Sequence, residues 1–170
     1  MDTIHRYEVR AKSTRPRCGV VASDAVPQPL KFSAPPEFAG EPRVWTPEHF
    51  FLAAVAACYV STFSGIADAS RFGFSYLEAE AEGTLEKDAG GWKFTTLTLR
   101  PDLKIAREQD RDRANRLLEK AEHSCVIARS ITAKITLAPT IMVVPEVALP
   151  KRSGDSVLPV ERSDRLFSSR

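Results

Sequence analysis

The chain has 170 residues, with 24 basic and 22 acidic side chains, a net charge of +2, 12 prolines and three cysteines. At 43% hydrophobic and 27% charged residues it has the composition of a soluble globular domain, and the near-balanced charge argues against a phosphate-tracking nucleic-acid binder. Three scattered cysteines without a C-x-x-C pair argue against a disulfide scaffold or a zinc motif, and the first residues lack the apolar stretch of a signal peptide. The expected location is therefore cytoplasmic, in a reducing compartment.

Ile4 to Arg10 is rich in strand formers, and Ser13 to Gly19 reads as a basic turn around Pro16. Val20–Val21 and Leu30–Phe32 read as short strands, and the proline-rich stretch from Ala34 to Thr46 as a loop. Thr46-Pro47-Glu48 opens a helix, with threonine as N-cap, proline at the first position and glutamate in the first turn. That helix is expected to run to about Arg71. Its eighteen residues from Phe50 to Ala67 carry no charge, close to a membrane span in length. The polar residues within it and the lack of basic anchors before it favour a helix buried on nearly all sides in a protein core.

Leu77, Ala79 and Ala81 alternate with Glu78, Glu80 and Glu82 as in a half-exposed strand. Asp88-Ala89-Gly90-Gly91 turns the chain into a second strand, Trp92 to Arg100. Helical spacing of Ala114, Leu117, Leu118 and Ala121 predicts a second helix over Gln109 to Ser124, with Cys125 on the same stripe. Ile131 to Leu137 alternates as a closing strand. Strands, helix, hairpin, helix and strand make an α+β domain with a mostly antiparallel sheet and two helices on one side. The domain is expected over residues 1–140. Residues 141–170 form a proline-containing tail, with disorder expected after Lys151.

Cys58 lies mid-helix with small neighbours one turn away, and Cys125 ends the other helix. Several roles stay open on spacing alone: two buried structural thiols, a redox pair, or a metal site with His123 or His49. A thiol in apolar surroundings is mostly protonated at neutral pH and needs a cation to activate it. Arg15, Arg17, Arg43 and Arg129 are candidates.

Thr46-Pro47-Glu48-His49-Phe50-Phe51-Leu52-Ala53-Ala54-Val55-Ala56-Ala57-Cys58-Tyr59 resembles the signature helix of the OsmC/Ohr family of osmotically inducible and organic hydroperoxide resistance proteins. Pro35-Pro36-Glu37-Phe38-Ala39-Gly40 and Ala121-Glu122-His123-Ser124-Cys125-Val126-Ile127 extend the likeness, which covers about residues 4 to 140. The resemblance implies an OsmC-like fold in an intertwined homodimer and a thiol peroxidase acting on organic hydroperoxides. Cys58 matches the peroxidatic cysteine and Cys125 the resolving one. A dithiol such as a lipoyl-protein would be the reductant, with no metal, cofactor, nucleic acid or membrane involved. Glu48 matches the glutamate that orients an activating arginine. About 15 Å of helix separates it from Cys58, so it would act across the dimer interface. Arg17, in Arg17-Cys18-Gly19 ten residues after Tyr7, best fits the arginine's place, with Arg15 in reserve. Cys18 and the C-terminal tail depart from the family pattern. Two other functions compete: a non-catalytic dimer binding an apolar small molecule at its interface, and an interaction protein working through its tail.

Overall fold

The computed structural model describes residues 4–144, so the expectation of a disordered tail lies outside the described residues. The first sheet is antiparallel, in the order β1 (Arg10–Arg15), β2 (Cys18–Ser23), β3 (Val26–Ser33). The first strand begins where it was expected to end, and it runs into the stretch read as a turn. Arg15 pairs directly with Cys18, so only Pro16 and Arg17 are needed to reverse the chain. Arg17 takes φ of 63°, a left-handed conformation that glycine adopts without cost. Pro27 and Pro29 fall inside β3. β3 is an edge strand, where a missing N–H is tolerated.

The chain then passes through a single 3₁₀ turn at Pro36–Phe38 into α1 (Pro47–Ala69). Thr46 Oγ1 accepts the His49 N–H at 3.3 Å, while His49 Nδ1 accepts the Thr46 N–H at 3.3 Å. This is a capping box with histidine in the place usually held by Glu or Gln. Val55, Tyr59, Phe63 and Ala67 recur every four residues and form the buried face of α1. They pack against α2 (Arg111–Ser124) through Ala114, Leu117, Leu118 and Ala121, and against Leu97, Leu99, Leu103 and Ile105 of β5 (Gly91–Ile105). The Tyr59 hydroxyl donates to the Leu118 carbonyl at 3.3 Å.

The expectation that α1 is buried on nearly all sides does not hold within one chain. Only 22% of its most apolar window is buried, although its length and composition would suffice to cross a membrane. Ala54, Ala57, Ser61, Gly65 and Asp68 are exposed along the face opposite the core. A single sheet and one partner helix can cover only one stripe of so uniformly apolar a helix.

β4 (Tyr76–Asp88) and β5 form the expected hairpin, antiparallel from Tyr76↔Lys104 to Asp88↔Gly91. Leu77, Ala79 and Ala81 face the core, while Arg100 reaches across the outer face to Glu82 at 2.6 Å and Glu80 at 3.6 Å. The return strand is shorter than expected, β6 (Lys134–Leu137), and runs parallel to β5 rather than antiparallel. Parallel pairing follows from the crossover through α2 and α3 (Val126–Arg129). A further strand, β7 (Thr140–Val143), carries the folded domain past residue 140 into the stretch expected to be tail. It pairs in parallel with the far half of β5, and Arg111 Nη1 donates to its Ile141 carbonyl at 2.9 Å.

Candidate active site

Cys58 and Cys125 come together where α1 meets the break between α2 and α3. Cys125 is not the last residue of α2: its extended backbone, φ −66° and ψ 114°, ends one helix and caps the next. Its sulfur accepts the Ala128 N–H at 3.5 Å, and the side chain is fully buried. Cys58 is half-buried, with Thr62 Oγ1 3.9 Å from its sulfur.

The two thiols differ in acidity. Burial pushes the Cys58 thiol up. Hydrogen bonds from the Ile127 N–H, the Cys125 thiol, the Thr62 hydroxyl and the Val126 N–H outweigh it and leave Cys58 below its ordinary value. Burial also pushes Cys125 up; N–H groups of Ala128 and Ile127 oppose that, the neighbouring Cys58 adds to it, and the net shift is upward. Cys58 is therefore the thiol that ionises first, and Cys125 remains protonated beside it. A cation was expected as the activator of Cys58. Within one chain that part falls to the first N–H groups of a four-residue helix. Val126 and Ile127 act through their backbones, which side-chain motifs do not register. The signal available in the sequence was the switch from polar to apolar residues at Ser124-Cys125-Val126-Ile127.

Glu48 and Arg17 lie elsewhere in the chain. Glu48 sits ten residues before Cys58, about 15 Å along α1. Its Oε2 is buried with no hydrogen-bond partner. It lines a cavity of about 360 Å³ together with Glu37, Phe38, His49, Trp92 and Phe94. The Arg17 guanidinium donates to the carbonyls of Phe38 at 2.8 Å and Ala39 at 3.4 Å, on the loop that forms one wall of this cavity. Arg15 is paired with Glu41 at 2.6 Å. One chain thus carries two separate groups: the thiol pair, and the Glu48 cavity with Arg17 bonded to its wall loop.

Cys18 is buried and donates to Ser33 Oγ at 3.6 Å, while Ser33 Oγ also accepts the Glu41 N–H at 2.7 Å. His123 is held by the Glu119 carbonyl at 2.8 Å, with Glu122 at 3.1 Å. Among the described residues no three His, Cys, Asp or Glu side chains are grouped as metal ligands.

The family model for OsmC-like protein matches residues 40–139, more than half of the chain, spanning both cysteines and Glu48. The chain belongs to the OsmC-like family. Among curated proteins it is similar to the uncharacterized protein YmaD of Bacillus subtilis (strain 168), 29% identical over 108 residues, 62% of this chain and 72% of that one. An OsmC-like protein of unknown function from Vibrio cholerae superposes with a TM-score of 0.70 at 20% identity, over 82% of this chain and all of that one. An organic hydroperoxide resistance protein from Elizabethkingia anophelis gives 0.67 at 20% identity, over 85% of this chain and all of that one. The organic hydroperoxide resistance protein OhrB of Bacillus subtilis gives 0.61 at 23% identity, over 81% of this chain and 98% of that one. At these identities the likeness carries the fold. Both this OsmC-like chain and its neighbours are α+β proteins with antiparallel sheet pairing.

Proposed function

We propose that the protein is a thiol-dependent peroxidase that reduces organic hydroperoxides, acting as a cytoplasmic homodimer in defence against oxidative stress. The observation that carries the reading is the pairing of Cys58, its sulfur facing the N–H groups of Val126 and Ile127, with a buried Cys125 that stays protonated. The Cys58 thiolate attacks the distal peroxide oxygen, the O–O bond breaks, and the alcohol leaves with a proton. The Cys58 sulfenic acid then condenses with the Cys125 thiol, forming the S–S bond and releasing water. A dithiol reductant returns both cysteines to thiols and is itself oxidised to a disulfide. No metal or organic cofactor takes part.

The separation of the thiol pair from Glu48 favours a dimer. Glu48 cannot reach Cys58 of its own chain along α1, and the exposed face of α1 gives a second copy a surface to cover. Across such an interface the Glu48 cavity of one subunit meets the thiol pair of the other, where Glu48 orients Arg17 toward the partner's thiolate.

The first test is consumption of cumene hydroperoxide with dihydrolipoamide by wild type, Cys58→Ser and Glu48→Gln, and by a mixture refolded together from the two variants. Each variant alone is expected to be inactive, and the mixture to regain activity, since the mixed dimer holds one site with both residues intact. Turnover by Cys58→Ser would overturn the nucleophile. A mixture no better than its components would overturn the shared interface.

A further inference from the structure

The Glu48 cavity carries acid and aromatic groups, with no Lys or Arg among its lining residues. Glu37 stands on the 3₁₀ turn at the rim and Glu48 on the first turn of α1. Arg17, in the turn between β1 and β2, donates from its guanidinium to the backbone carbonyls of Phe38 and Ala39 on that rim. The walls are apolar. Trp92, at the tip of the β4–β5 hairpin, meets Phe38 edge to face with ring centroids 5.5 Å apart. Phe94 stacks on Phe51 at 4.7 Å, and Gly83 leaves the Phe94 ring its place, since a Cβ there would lie 2.7 Å from it.

We infer that this cavity selects hydroperoxides whose organic part is uncharged, and that Glu37 is a residue setting that specificity. Aromatic walls of about 360 Å³ suit an aryl or branched alkyl group. A carboxylate on that group would approach the Glu37 and Glu48 carboxyl groups with no Lys or Arg in the lining to pair with it, the His49 ring being engaged through Nδ1 with the Thr46 N–H, and part of its hydration would be lost. The same chain bearing an ester keeps the apolar contact without the repulsion. The inference rests on the proposed reading for its substrate, and on the cavity alone for its charge selection.

The test separates the two. In full-length Cys58→Ser, Trp45→Phe, which leaves Trp92 as the one tryptophan, quenching of its fluorescence measures binding of 4-isopropylbenzoic acid and of its methyl ester at pH 7.5. The ester is expected to bind roughly tenfold more tightly than the acid, as for one like charge at about 7 Å in an effective dielectric constant of about 40. Glu37→Gln should narrow that ratio severalfold, and wild type should turn over a fatty-acid hydroperoxide methyl ester faster than the free acid by a similar factor. Equal binding of acid and ester, a ratio unmoved by Glu37→Gln, or no binding of either, would overturn the inference. Ester binding without turnover of any hydroperoxide by wild type would overturn the peroxidase and leave the charge selection standing.

Discussion

The acidity of Cys58 offers a test that removes a single donor atom. Val126 is the first residue of α3, preceded by Cys125 at φ −66° and ψ 114°, and its side chain is 67% exposed. Proline suits a first helical position and forces its predecessor into the extended region that Cys125 already occupies. Val126→Pro therefore leaves the fold in place and deletes one N–H that faces the Cys58 sulfur. A hydrogen bond to a charged group contributes about 1.5 to 3 kcal/mol. Val126 is the weakest of the donors acting on Cys58, so the low end applies. Its loss moves the Cys58 pKa up, toward its ordinary value, and each 1.36 kcal/mol is a factor of ten in the ionisation equilibrium. The thiolate fraction below the pKa, and with it the alkylation rate, should then fall about tenfold. The assay is iodoacetamide labelling of reduced protein from pH 5 to 10, with Cys58 followed by peptide mass spectrometry and folding checked by circular dichroism. An unchanged titration midpoint in a folded Val126→Pro protein would refute the role given to the α3 backbone.

Other consequences are as direct. Leu118→Ala empties a fully buried position between α1 and α2 and should cost about 2 to 5 kcal/mol, read from urea unfolding of the reduced protein. Gly83→Ala drives a Cβ to 2.7 Å from the Phe94 ring and 2.9 Å from Leu52, a loss of about 1 to 3 kcal/mol that thermal melting will register. Under the proposed dimer, Ala57→Arg, on the exposed face of α1, should shift the protein from dimer to monomer in sedimentation velocity; an unaltered dimer would place the interface elsewhere. Under the proposed reading, Arg17→Ala should slow peroxide turnover by at least tenfold while leaving the iodoacetamide profile of Cys58 in the isolated chain unchanged.

Much of this arrangement was legible in the sequence because single residues announced it. Thr46-Pro47 marked the start of α1, the Leu-Glu alternation marked β4, and the stripe through Ala114 and Leu118 marked α2. The misreadings share a cause: pairing decides where local preference is weak. β1 took Arg10–Arg15 because that register lets Arg15 meet Cys18, although Ile4–Val9 has the stronger strand composition. β7 is four residues beside a proline, a strand only because β5 extends to Ile105 and presents an edge. At the site, the cysteines and Glu48 were visible as residue types. The separation of the thiols from the Glu48 cavity followed from helix length. The donors on Val126 and Ile127 were invisible because every residue but proline carries the same N–H.

The serial placement of β6 and β7 along one side of β5 bears on the order in which the chain folds. The β4–β5 hairpin closes locally, since Asp88 pairs with Gly91. Thr96, by contrast, waits for Lys134, and Asp102 for Thr140, so these pairings carry the loop-closure entropy of the whole α2–α3 crossover. A chain emerging from the ribosome exposes one side of its central strand until residues past 140 are made. Truncation before Lys134 would leave that side of β5 open to pairing with other chains, and aggregation is the expected outcome.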